Sequence, residues 1–155
     1  MPLARAYGSA RRLAMNEVPL IAIVDDDASV RGALLRVIES AGYTAETFAS
    51  AREFLAWLPE GRAACLVLDV HMHELSGFDL YDRLTVPVVF VTGHDDPVTV
   101  ARIEASSAVG HLRKPFDRAT VLDAIQRAVG APQTRRPVGF RVVDGHQPPT
   151  AEKPP

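Results

Sequence analysis

The sequence predicts a doubly wound α/β sandwich built on a five-stranded parallel sheet, and three observations predict it. Five short apolar runs alternate with segments of helical periodicity. Two of the runs, "AACLVLDV" and "VPVVFVTG", are unbroken aliphatic and β-branched stretches, as expected of strands covered on both faces. The helical segments between runs are long enough to serve as the right-handed crossovers that parallel strands need. In such sheets the ligand site lies at the carboxyl ends of the strands.

The elements follow in order. A strand runs from Leu20 to Val24, and an acidic turn leads into "DASVRGALLRVIESAGY". There Val30, Leu34, Val37, Ile38 and Ala41 recur at helical spacing until Gly42 stops the helix. "YTAETFA" alternates like a half-buried strand. "SAREFLAWLPEG" then offers Ser50 as N-cap with Glu53 three residues on, a capping-box pattern, with Leu55, Trp57 and Leu58 as apolar contacts. Between the two central strands, "GFDLYDRL" reads as a short helix. "DPVTVARIEASS" reads as another, capped by Asp95 or Asp96 with Pro97 in its first turn. "AVGHLR" is a weaker strand, and "DRATVLDAIQRAVG" is a closing helix capped by Asp117 and ended by Gly130.

Composition bounds the rest. A chain of 155 residues, 47% hydrophobic and 23% charged, suits one globular domain. A formal net charge of −2 does not favour a nucleic-acid or membrane surface, which need clustered basic excess. No apolar run approaches a membrane span, and the start lacks the apolar core of a signal peptide. The Arg-rich, acid-free opening "MPLARAYGSARRLAM" has a weak likeness to an organellar transit segment, and Met15 as an alternative start is the simpler reading. Cys65 is the single cysteine and lies in an apolar run, so a small packed hydrophobe in a reducing cytoplasm is expected. Six of the twelve prolines fall at 132, 137, 148, 149, 154 and 155, which predicts a mobile tail over 131–155 in which "VGFRVV" offers one strand-like segment. The organisation read from this is an extension over 1–18, a domain over 19–130 and the tail.

Four of the five strands end on polar chemistry: Asp25 and Asp26 after the first, Asp69 after the third, Thr92 after the fourth and Lys114 after the fifth. Parallel packing brings these ends together. Adjacent carboxylates repel unless a cation or proton joins them, and clustered at a rigid rim they form a hard oxygen site for Mg²⁺. One carboxylate can then act as nucleophile toward a phosphoryl group, with a Lys and a Thr hydroxyl to meet its oxygens. Taken singly, Asp25 and Asp27 read as well as loop and cap residues, Thr92 as a turn residue and Lys114 as a solvated cation. Their joint order and spacing point to a site.

"IVDDD", "CLVLDV", "SGFDL", "VVFVTGH" and "HLRKPFD" together resemble the response-regulator receiver domain of bacterial two-component systems, most closely the FixJ class, over about residues 19 to 130. The resemblance implies a flavodoxin-like (CheY-like) fold with strand order 2-1-3-4-5. It implies Asp69 as phosphoacceptor and Mg²⁺ as cofactor, with Asp26 a direct metal ligand, Asp25 acting largely through water and the His71 carbonyl as backbone ligand. Thr92 becomes the switch hydroxyl, His111 takes the place of the switch aromatic, and Lys114 pairs with the phosphoryl group. A cis peptide before Pro115 is also implied, while Asp27 falls outside the set as a helix cap with Ser29.

The pattern departs from the family in places. His73 stands where Pro is usual, His111 where Tyr or Phe is usual, and Ser107 where Gly is common. The connection from Gly77 to Pro87 is about five residues short, roughly 7 Å of helix, so a truncated third helix is expected. His71, His73, His94 and His111 all fall near the site, which raises a transition-metal alternative.

The function expected is a stand-alone phosphoacceptor, loaded on Asp69 by a sensor histidine kinase or phosphotransfer protein and signalling to a downstream protein partner. It is not an enzyme beyond its own Mg²⁺-dependent phosphorylation and dephosphorylation. Only 25 residues follow Gly130, so no direct nucleic-acid binding is expected; homodimerisation through the fourth-helix face is open. The alternatives are a phosphorylation-independent interaction module with a degenerate receiver fold, and an Asp- and Mg²⁺-dependent hydrolase, for which no segment supplies a cap.

Overall fold

The computed structural model describes residues 18–58, 62–93 and 96–131. The N-terminal extension before Val18, His94, Asp95 and the Pro-rich tail with "VGFRVV" lie outside the described residues. Five strands, β1 (Leu20–Val24), β2 (Thr44–Phe48), β3 (Cys65–Asp69), β4 (Val88–Thr92) and β5 (Gly110–Arg113), alternate with five helices. These are α1 (Ala28–Ser40), α2 (Ala51–Trp57), α3 (Gly77–Tyr81), α4 (Pro97–Ala105) and α5 (Arg118–Val129). The sheet has the order β2-β1-β3-β4-β5, and every pair is parallel.

Alternation along the central strands divides the core in two. Ala22, Val24, Leu66, Leu68, Val88 and Phe90 face α2, α3 and α4, where Phe54, Phe78, Leu80 and Ile103 meet them. Ile21, Ile23, Cys65, Val67, Val89 and Val91 face α1 and α5, where they pack on Leu34, Ile38, Val121 and Ile125. Both layers are closed, which is why β1, β3 and β4 read as continuous apolar runs. Cys65 is fully buried, and burial pushes its thiol up to about 12.

Local chemistry sets the ends. Asp27 caps α1 through its Oδ1, which accepts the Ser29 amide at 2.9 Å and the Ser29 hydroxyl at 2.8 Å. Helix α1 stops at Gly42, whose φ of 96° only glycine adopts freely. The Gly42 amide donates to Glu39 at 3.0 Å and that of Tyr43 to Ile38 at 3.4 Å, the paired bonds of a Schellman ending. Ser50 caps α2, but the reciprocal Glu53 carboxylate takes the amide of Ala49 at 2.9 Å rather than that of Ser50. Of the two aspartates proposed to cap α4, Asp96 does so, accepting the Thr99 amide at 2.8 Å. Gly130 does cap α5, yet with φ −84° it sits in the right-handed region, so that helix end does not depend on glycine.

Leu55, Trp57 and Leu58 pack against the core as expected, and Phe54 joins them as the fully buried anchor of α2, 5.4 Å from Phe48 between ring centroids. The truncated helix expected from "GFDLYDRL" is the five-residue α3, because the chain turns at Asp82 to reach β4. Two of its rings, Phe78 and Tyr81, pack tilted against Phe90, with centroids 5.0 and 5.2 Å away.

Candidate functional site

The carboxyl ends of β1, β3, β4 and β5 converge on one acidic pocket. Asp69 and Thr92 are the last residues of their strands, Asp25 directly follows β1, and Lys114 directly follows β5. The sheet register places Asp69 beside Val91 and Thr92 beside Arg113, so these side chains are fixed by the ladder itself. Asp25, Asp69 and Thr92 are buried, which makes the site deeper than the shallow cleft the sequence suggested. Asp26 alone of the three acids reaches solvent.

Oxygens of Asp25, Asp26 and Asp69 lie within 4.8 Å of one another. Lys114 Nζ bridges the two buried members, 3.4 Å from Asp25 Oδ2 and 3.5 Å from Asp69 Oδ1. The contact to Asp25 Oδ2 is one of charge without hydrogen-bond alignment, so that buried oxygen has no hydrogen-bond partner. Such an oxygen is costly to leave unfilled. Asp25 Oδ1 accepts the Asp27 amide at 2.9 Å, and the carbonyl of Asp25 accepts Arg31 Nη1 at 2.8 Å.

The electrostatics reflect crowding. Burial, then the neighbouring Asp25 charge, pushes the Asp69 carboxyl up from the ordinary 3.8 to about 6, against the pull of Lys114. Asp25 also lies above the ordinary carboxylate range, chiefly from burial. Burial alone would lower Lys114, but Asp69 and Asp25 together outweigh it and hold the ammonium above its usual value. A hard divalent cation would relieve this frustration: three carboxylates with an unfilled buried oxygen are a donor set that fits Mg²⁺.

The other expected residues are placed as follows. His71 lies on the exposed loop after β3, and its amide donates to the Asp69 carboxylate. His111 is exposed on β5, opposite Phe90. The Lys114–Pro115 peptide is cis. Among the described residues, the acidic trio is the one group of three or more metal-capable side chains, so His71, His73 and His111 do not assemble a transition-metal site there. His94 lies outside the described residues.

Three further residues touch the acids or their backbone. Arg31 reaches back from the first turn of α1 to the Asp25 carbonyl. His73 Nδ1 sits 2.8 Å from Asp26 Oδ2. Gly77 packs so closely that a Cβ there would lie 2.3 Å from the Asp69 carbonyl oxygen. Arg31 left no signal in the sequence, whereas His73 already falls near the site there and Gly77 stands as the glycine of "SGFDL" between a cap and an apolar pair. Beside Asp26 a cavity of about 490 Å³ opens, lined by Ser50, Arg52, Leu55, Met72, His73 and Arg83 among others.

A parallel order 2-1-3-4-5 with acids, a hydroxyl and a lysine at its carboxyl edge defines a receiver-like class of α/β domain. Residues 21–126 match the model of the response regulator receiver domain, and the chain belongs to that family, a signalling module of two-component systems. It is 40% identical over 123 residues to the response regulator protein TodT of Pseudomonas putida, covering 75% of this chain and 54% of that protein. With the transcriptional regulatory protein FixJ of Rhizobium meliloti it shares 36% identity over 112 residues, 68% of this chain and 54% of that one. The chain therefore spans about half the length of these relatives. A response regulator receiver protein from Burkholderia phymatum, solved by crystallography, superposes with a TM-score of 0.67 at 37% identity, covering 74% of this chain and 98% of that one. No described helix is long and apolar enough to cross a membrane.

Proposed function

We propose that the chain receives a phosphoryl group on Asp69 from a phosphohistidine donor in a Mg²⁺-dependent reaction and passes the change to a protein partner. The observation that carries this reading is the ammonium of Lys114 spanning Asp25 and Asp69 at 3.4 and 3.5 Å, with Asp26 beside them. A cation shared by two buried acids is poised to follow whichever oxygen gains charge.

In this reading Asp69 attacks phosphorus through a carboxylate oxygen, the P–N bond to the donor imidazole breaks, and the imidazole leaves with a proton from solvent. Mg²⁺, when bound, would offset the charge of the carboxylates and the phosphoryl oxygens. Asp25, Asp26 and Asp69 would hold it with the His71 carbonyl. Lys114 turns from Asp25 toward the new phosphoryl oxygens, and the Thr92 hydroxyl bonds another of them. The added charge of about −1.5 to −2 then shifts a two-state equilibrium read at the surface near His111. The receiver unit in this reading spans 19–130, the donor is a sensor histidine kinase or phosphotransfer protein, and the output is protein–protein contact.

The test is incubation with acetyl phosphate on a phosphate-retarding gel, with and without EDTA, beside Asp69→Asn. A retarded band confined to the wild type with Mg²⁺ supports the reading. Its absence, together with no beryllofluoride response, leaves the phosphorylation-independent interaction module as the better account.

A further inference from the structure

We infer that Arg31 is a positioning residue for the acidic pocket, its guanidinium fixing the peptide between Asp25 and Asp26 so that both carboxylates converge with Asp69 on one cation; this rests on the Mg²⁺ reading above. From the first turn of α1, Arg31 Nη1 donates to the Asp25 carbonyl at 2.8 Å. The donor is charged, which makes such a bond about twice as strong as one between neutral groups.

The bond acts where the sheet ceases to hold the chain. Strand β1 pairs with β2 and β3 as far as Val24, and the Asp25 amide still donates to the Phe48 carbonyl at 3.2 Å. Beyond that point the Asp25 carbonyl meets Arg31. This carbonyl belongs to the planar peptide that joins two of the three acids, so its rotation changes ψ of Asp25 and φ of Asp26 together and swings one carboxylate away from the other. Arg31 is itself seated, because its amide donates to the Asp27 carbonyl at 3.0 Å and Asp27 caps the same helix. The grip is on main chain, which leaves Asp25 Oδ2 buried and without a hydrogen-bond partner, open to a cation. Charge works the other way: a fixed positive group beside the pocket opposes a divalent cation, so as a charge alone Arg31 would weaken Mg²⁺ binding. Positioning and charge therefore predict opposite signs when Arg31 is removed.

The experiment is titration of Mg²⁺ into the isotope-labelled full chain at pH 8, followed by amide chemical shifts, for wild type, Arg31→Met and Arg31→Lys. Unfolding midpoints in EDTA show that each variant is folded. Met keeps the apolar stem without donor or charge, whereas Lys keeps both. The expected result is Mg²⁺ affinity about 10-fold weaker in Arg31→Met and within about threefold of wild type in Arg31→Lys. A merely structural role would lower the midpoint and leave the affinity of the folded protein unmoved. Unchanged or tighter binding in Arg31→Met overturns the inference while leaving the Mg²⁺ site intact. Equal weakening in both variants also overturns it, because a donor at that position is then not the cause. Arg31→Gln, shorter and uncharged, carries the same expectation as Arg31→Met and takes its place if that variant is unfolded. No Mg²⁺ binding by the wild type overturns both this inference and the metal reading beneath it.

Discussion

Gly77 and Asp69 are in backbone contact across the β3–α3 loop: a Cβ on Gly77 would stand 2.3 Å from the Asp69 carbonyl oxygen and 2.9 Å from the Cα of Val70. Both obstacles are main chain at the end of a buried central strand, so neither can rotate aside. Gly77→Ala is expected to destabilise by more than about 2 kcal/mol through forced displacement of the loop. Urea unfolding gives the number, and a loss below about 0.5 kcal/mol would mean that the loop is free to shift.

Lys114 offsets the charge of two buried carboxylates in the metal-free protein. Removing it leaves them facing each other unpaired. Lys114→Met is therefore expected to lower stability in EDTA at pH 8 by about 1–3 kcal/mol, and Mg²⁺ should recover part of the loss. Thermal unfolding with and without the cation checks this.

Stability should depend on pH through Asp69. Its folded value of about 6 exceeds the ordinary 3.8, so the folded protein binds this proton more tightly than the unfolded chain does. The stabilisation is full below about 3.8 and lost as pH rises through about 6, a change on the order of 3 kcal/mol for a shift of this size. Asp69→Asn carries no charge to desolvate. In EDTA it should melt above the wild type at pH 8, with the gap closing toward pH 4.5, and saturating Mg²⁺ should shrink the gap at pH 8. A pH-independent gap would contradict the assignment.

Tyr81 ties the short α3 to the loop before β5, its hydroxyl accepting the Ser107 amide at 2.8 Å. Arg102 of α4 lies over the Phe78 ring at 4.2 Å from its centroid and ties α3 to α4. Because Ser107 is near solvent and its amide can turn to water, Tyr81→Phe should cost only about 0.5–1 kcal/mol. Hydrogen exchange at the Ser107 amide should nevertheless speed up clearly.

What the sequence disclosed and what it hid divide along physical lines. Strands β3 and β4 were legible because both their faces are buried, and the site acids because a carboxylate ending such a strand needs a reason to be there. Strand β2 was legible only by alternation, with Thr44 and Glu46 exposed and Ala45 and Thr47 half-buried at the sheet edge. Phe54 was passed over for Trp57 because a seven-residue helix offers too few turns to tell which ring points inward. The Gly77 approach, the reach of Arg31 to Asp25 and the His73–Asp26 contact depend on how loops from separate strands meet, which periodicity does not encode.

The measurement that bears most directly on the central claim is chemical location of the acyl phosphate. The chain would be treated with acetyl phosphate and Mg²⁺, reduced with borohydride, digested and sequenced by tandem mass spectrometry. The account predicts homoserine at position 69, dependent on Mg²⁺ and accompanied by none at Asp25 or Asp26. Reduction product at either of those residues instead, or formation at 69 that is unaffected by EDTA, would contradict it.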